Sequence, residues 1–168
     1  MRALNARYFE DVAVGDVLAP YETGKLTVAH LVRWCGASEN WHRIHYDTAF
    51  AVDHDKLPGP LINGSLKQQF LAHFLRKWVT RNGWVWRLKI EFRAMNVAGE
   101  SLTVWGEVTR LRRLADFGLV DLKLGIRNEK GLESAPSLAV VALPYRDGQS
   151  LPYPFVAPAV DLSSERAI

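Results

Sequence analysis

Two histidines three residues apart, His42 and His45, sit in a short polar stretch with Glu39, Asn40 and Asp47. Imidazole titrates between about pH 5 and 8, so such a pair suits general acid or base work. The amide of Asn40 can orient a water or a substrate but cannot exchange a proton near neutrality. Two loop histidines bonded to backbone would carry the same sequence signature. Imidazole and carboxylate are also metal ligands, but no third ligand follows at a characteristic spacing and no metal is expected. Downstream, Leu57-Pro58-Gly59-Pro60-Leu61-Ile62-Asn63-Gly64 leads into an apolar helical pattern. The N–H groups of Gly64 and Ser65 would be open donors at the positive end of that helix, a place where a developing oxyanion can be held. Asn63 in front of them also suits an ordinary helix cap. Ser65 lacks the flanking glycines of a nucleophile elbow, which argues against a serine hydrolase. Cys35 falls on an apolar helical face and reads as packing. His30 and His73 fall inside helical patterns and read as structural.

These residues need elements to position them. Val17 to Thr23 is a short strand candidate after the turn at Gly15. Thr27 suits the N-cap of a helix in which Val28, Leu31, Val32 and Cys35 share a face, ending at Gly36 beside the histidines. Asp47 to Val52 reads as a further short helix capped by Asp47, and Pro58 and Pro60 then force an extended passage. From Gly64 to about Thr80 the pattern is helical, with Leu66, Phe70, Phe74 and Trp78 on one stripe, Leu71 and Leu75 beside it, and Lys67 among the polar positions. Asn82-Gly83 ends that helix. Trp84, Trp86, Leu88, Ile90 and Phe92 then alternate with Val85, Arg87, Lys89, Glu91 and Arg93, a twofold strand repeat with one core face. Leu102 to Leu111, Gly118 to Arg127 and Ser137 to Leu143 continue as strands joined by turns. One long apolar helix followed by hairpin-linked strands is an α+β arrangement, with the helix wrapped by an antiparallel sheet. The domain spans 1–143, and 144–168 is a Pro-rich C-terminal tail.

The chain has 168 residues and 48% hydrophobic content, enough for one substantial core. Its net charge of +3 is spread along the sequence rather than gathered in a run, so nucleic acid is not implied. A modestly positive surface suits a phosphate-bearing small molecule or an acidic carrier protein. The lone Cys35 allows no internal disulfide and fits a reducing cytoplasm. The first ten residues have no apolar signal core, and no run approaches a membrane span. A long sheet with one buried face needs its edges covered, which points to a homodimer or higher homo-oligomer, or to a hetero-oligomer.

Tyr8-Phe9-Glu10-Asp11 with Val14-Gly15, then Asn40-Trp41-His42-Arg43-Ile44-His45-Tyr46-Asp47, then Pro60-Leu61-Ile62-Asn63-Gly64 at the head of a long helix, resemble the MaoC-like branch of the hot-dog fold. The resemblance covers most of the chain through Leu143. The HRIHYD stretch is similar to that of the fungal mitochondrial 3-hydroxyacyl-thioester dehydratases and the mesaconyl-CoA hydratases. It implies an enoyl-CoA hydratase or 3-hydroxyacyl-CoA dehydratase working on an acyl-CoA or acyl-carrier thioester, with no cofactor beyond that substrate. In that family an Asp and a His five residues later activate the water, and a helix-opening Gly N–H polarises the thioester carbonyl. Carried over, these are Asn40, His45 and Gly64, with Asn40 departing from the usual Asp. His42, Arg43, Asn63 and Ser65 fall where substrate contacts are expected, Asn63 replacing the family's His before the glycine. Two rivals remain: a half-site subunit of a heteromeric hydratase, which Asn40 favours, and a thioesterase on the same fold.

Overall fold

A computed structural model describes residues 6–159. The start of the N-terminal reading and the end of the Pro-rich tail lie outside the described residues. Strand β1 (Tyr21–Lys25) and helix α1 (Val28–Ser38) precede the site loop, after which come helix α2 (Gly64–Val79) and strands β2 (Trp84–Ile90), β3 (Ser101–Arg113), β4 (Phe117–Asn128) and β5 (Ser137–Pro144). All pairings are antiparallel, and the strands lie in the order β1-β3-β4-β5-β2. β3, β4 and β5 form the expected hairpins, whereas β2 pairs with β5 rather than with its successor.

The core lies between α2 and one face of the sheet. Leu71 and Leu75 are fully buried, with Leu66, Phe74 and Val79 beside them. The sheet answers with Val104 and Val108, with Val120, Leu122, Leu124 and Ile126, and with Val141 and Leu143. Each such aliphatic side chain contributes about 1.5–3 kcal/mol on burial. Gly106 admits the ring of Phe74, because a Cβ there would lie 3.1 Å from its Cε1. Phe70 and Trp78, expected on the buried stripe, are only half-buried at its margin.

Several local expectations are corrected. Val17 makes only an isolated bridge to Glu107, and the first strand begins after Pro20, which has no N–H for a ladder. Helix α1 runs past Gly36 to Ser38 and stops where Glu39 turns left-handed at φ 52°. Gly36 instead leaves room for the Trp41 ring, 3.5 Å from where a Cβ would stand. The alternation in β2 is broken by a register shift between Val85 and Arg87. Such a bulge puts two residues opposite one and changes which face follows. Leu88 and Ile90 therefore pack on the core, while Trp86 joins Phe117, Leu119, Val140 and Ala142 on the outer face. Phe155 covers that outer cluster and stacks on Trp84 at 5.7 Å. Phe92 lies beyond the end of β2 and is 52% exposed, not core. Lys67, one of the polar positions of the helical pattern, is only 3% exposed.

Candidate active site

The left-handed turn at Glu39 swings the chain off α1 into the polar loop, and the Asn40 N–H donates to the Cys35 carbonyl at 3.1 Å. Asn40 Oδ1 accepts weakly from the His42 N–H at 3.4 Å, which leaves the amide nitrogen as its outward donor. His42 sits at the N-cap of a single tight turn, Arg43–His45, with Nδ1 accepting from the Ile44 N–H at 3.4 Å. His42 is thus engaged with its own backbone, its ring 6.3 Å from that of His45. Arg43 lies exposed along the loop, its guanidinium bonding Asp47 at 2.6 and 3.0 Å and lying over the Phe50 ring. Trp41 and Tyr46 close the loop on itself, the Tyr46 hydroxyl donating to the Trp41 carbonyl at 3.0 Å. Glu39 accepts from the Trp41 indole at 3.1 Å.

Asp47 does the capping expected of it, Oδ1 accepting from the Phe50 N–H at 3.0 Å, although the turn that follows (Phe50–His54) is a π-turn rather than an α-helix. The Phe50 N–H, and then Arg43, hold its carboxyl below the usual carboxylate range. A carboxylate whose folded pKa is depressed supplies its grip above its unfolded value, about 3.9, and loses it as pH falls through the folded value. Asp47→Ala should therefore speed amide exchange at Phe50 at neutral pH. The wild type should show the same acceleration only in strong acid, while a Phe50 amide equally protected in both proteins would deny Asp47 this role.

His45 is tied differently. Its Nδ1 lies 2.8 Å from the Leu61 carbonyl. A carbonyl only accepts, so Nδ1 carries the proton and neutral His45 presents Nε2 as a bare base. The neighbouring main chain repeats the link, with the Leu61 N–H donating to the Ile44 carbonyl at 2.8 Å. Leu61 is three residues before Gly64, so one short passage both orients the base and opens α2. That passage is itself paired with 96–98, through Ile62 N–H to the Asn96 carbonyl and Ala98 N–H to the Pro60 carbonyl, each at 2.8 Å.

At the head of α2, the N–H groups of Leu66 and Lys67 both reach the Asn63 carbonyl at 3.1 Å. Asn63 occupies the N-cap, but its side chain makes no capping bond. That corrects the expectation of an ordinary cap: the side chain is fully buried, its Nδ2 3.7 Å from Cys35 Sγ and its Oδ1 without a partner among the described residues. A helix leaves its first N–H groups without intrahelical partners, so Gly64 and Ser65 offer theirs outward. The Ser65 hydroxyl accepts from the Trp34 indole at 2.9 Å and fastens α1 to α2. The Phe92 ring lies over Gly64, 3.4 Å from where a Cβ would stand.

The loop thus carries an imidazole with its proton-bearing nitrogen fixed and bonded to the passage that ends in the open N–H groups of α2, with the Asn40 amide on the same loop. Three features of it escaped the sequence reading: the Leu61 carbonyl that orients His45, the Phe92 ring over Gly64, and buried Lys67 one turn into α2. Burial, opposed by Glu100, pulls the Lys67 ammonium down to about 8.

An α+β arrangement of one antiparallel sheet around a helix, with a histidine loop bonded to the passage that leads into that helix, is a hot-dog fold. The family of hydroxyacyl-thioester dehydratase type 2 matches residues 18–100, which include both the loop and the head of α2. The fold is shared with an (R)-hydratase from A. caviae involved in PHA biosynthesis, at 23% identity and TM-score 0.72 over 80% of this chain and 99% of that one. A MaoC-like dehydratase from Rhodospirillum rubrum is 20% identical with TM-score 0.68 over 84% of this chain and 99% of that one. The ChsH1-ChsH2 complex from Mycobacterium tuberculosis matches at 18% identity and TM-score 0.69, over 78% of this chain and 98% of the matched chain. Comparison with curated proteins gives no significant match. The chain thus shares the fold of these hydratase and dehydratase structures, and just under half of it matches the hydroxyacyl-thioester dehydratase type 2 family.

Proposed function

We propose that the protein adds water to, or removes it from, the α,β double bond of an acyl thioester, carried by CoA or by an acyl-carrier protein. The observation that carries this reading is the 2.8 Å bond from His45 Nδ1 to the Leu61 carbonyl, which leaves Nε2 as the base on the passage leading to Gly64. In the hydration direction His45 Nε2 takes a proton from water as its oxygen attacks the β-carbon, Asn40 steadies that water, and the Gly64 N–H meets the negative charge growing on the thioester oxygen. The returning proton on the α-carbon completes the addition. Dehydration is the same path reversed, with His45 giving its proton to the leaving hydroxyl. His42, Arg43, Asn63 and Ser65 hold the loop and helix head through their bonds within the protein, and in this reading they border the thioester. The reading uses no metal and no cofactor.

The purified chain, given a panel of enoyl-CoA thioesters, should convert at least one to a product heavier by one water; release of free CoA instead would support the thioesterase reading. The half-site alternative keeps a specific support, because Asn40 stands where a proton-exchanging carboxylate is usual. One of the matched structures is a complex of two components, ChsH1 and ChsH2, which supports this alternative. The strands at the two edges of the sheet, β1 and β2, offer a surface for a second subunit, identical or not. Light scattering on a size-exclusion peak separates these outcomes: a stable homo-oligomer that leaves every enoyl-CoA untouched supports the half-site reading. No described helix is long and apolar enough to cross a membrane. We place the reaction in the cytoplasm, in keeping with a lone buried thiol.

A further inference from the structure

Lys67 breaks the pattern of the helix that carries it. It lies on α2 with only 3% exposure, and its charge is an expense that leucine in the same place would not carry. Its ammonium donates to the Ala94 carbonyl at 3.0 Å and to Asn96 Oδ1 at 2.9 Å. Asn96 is itself buried, and its Nδ2 donates to Glu100 Oε2 at 2.9 Å, an oxygen that also accepts from Asn128 Nδ2. The other Glu100 oxygen accepts from the Val97 N–H at 3.0 Å. The charged group acting on Lys67 is thus Glu100, reached through a neutral amide, while the 94–96 segment presents it with neutral acceptors and the Phe92 ring lies 5.9 Å away.

These contacts all converge on residues 94–98, which lie between β2 and β3 without a regular ladder of their own. Irregular buried backbone needs donors from outside. The same residues carry the passage that orients His45: Asn96 and Ala98 bond Ile62 and Pro60, and Leu61 between them accepts from His45 Nδ1. We infer that Lys67 is a positioning residue for His45, fixing through Ala94, Asn96 and the 60–62 passage the carbonyl that selects the His45 tautomer. The inference rests on the hydratase reading for its kinetic consequence, but the tautomer is a consequence independent of that reading.

The linkage has a defined sign. A lysine whose folded pKa is lowered is charged at a cost below about 8, and the cost is relieved as pH rises from there toward the 10.5 of a free lysine, so this group makes the fold more stable with rising pH across that window. A side chain that costs stability in its charged state at neutral pH is poorly explained by stability alone.

The test uses Lys67→Met, which keeps length and apolar bulk but donates nothing, and reads the ring nitrogens of His45 by 15N NMR alongside kcat, KM and Tm. Wild type should show the Nδ1–H tautomer. Lys67→Met should show a mixture of tautomers, with kcat lower by about tenfold and KM changed by less than about threefold, the signature of a misaligned base rather than lost binding. A variant that retains both tautomer and kcat overturns the inference. Should Lys67→Met fail to fold, Lys67→Gln, whose amide nitrogen ends one bond short of the ammonium and cannot serve both acceptors in the same way, is read by the same measurements. An unchanged tautomer and kcat in that variant overturn it equally. Wild type that hydrates no enoyl-CoA removes the hydratase reading, and the tautomer measurements then decide the role of Lys67 without it.

Discussion

Replacing His45 by alanine should lower kcat for enoyl-thioester hydration by about 10²–10⁴-fold, the usual worth of a positioned general base. The loss should appear equally in kcat and kcat/KM, because proton transfer to Nε2 occurs only on the way to the transition state. The fold should survive. His45 contributes one bond, from Nδ1 to the Leu61 carbonyl, whose removal costs about 1 kcal/mol. The loop keeps the Leu61 to Ile44 backbone bond, the Arg43–Asp47 pair and the Tyr46 hydroxyl on the Trp41 carbonyl. His45→Gln sharpens the reading, since its amide can still donate to Leu61 but offers no nitrogen that accepts a proton. It should recover stability relative to the alanine variant and recover no rate. A His45→Ala enzyme running near the wild-type rate would remove His45 from the chemistry, and with it the weight placed on its tautomer.

What the chain declares in advance and what it conceals follow from how far each interaction reaches along the sequence. Leu71, Leu75, Val120, Leu122, Leu124 and Ile126 are legible because burial of a helix or strand face repeats at the period of the element itself. The Asp47 cap is legible because its partner, the Phe50 N–H, is three residues away. Trp86 is not, since the bulge that turns it from the core to the outer cluster depends on how β2 pairs with β5 some fifty residues later. Phe92 was misread, and the burial of Lys67 went unseen, for a related reason. Each continues a simple local pattern, but the helix head and the irregular 91–98 segment meet only in the fold, drawing the lysine inward and leaving the phenylalanine at the surface over Gly64. Asn40, His45 and Gly64 were picked out as candidates by residue type and resemblance, whereas the contact that fixes the His45 ring, a carbonyl sixteen residues on, is tertiary.

Gly64→Pro should lower kcat by about 10²–10³-fold, the measured scale for deleting one oxyanion donor, while leaving the helix in place. Proline is at home in the first position of a helix, where its missing N–H is not needed by the helix itself. Here the bonds of the first turn run from Leu66 and Lys67 to the Asn63 carbonyl, and none of them uses the Gly64 N–H. The residue before a proline must be extended, and Asn63 already is, at φ −55° and ψ 134°. The substitution therefore removes one donor with little backbone strain. Its control is Gly64→Ala, which keeps the N–H and adds only a methyl group. That methyl would meet the Phe92 ring at 3.4 Å, and a ring 52% exposed has room to give way. The alanine variant should stay within about threefold of wild type, so that the gap between the two measures the donor rather than the space. Equal rates in the proline variant and wild type would move the oxyanion away from Gly64, with the Ser65 N–H the next donor on the same helix end, and a loss as large in Gly64→Ala would assign the effect to the Phe92 contact instead.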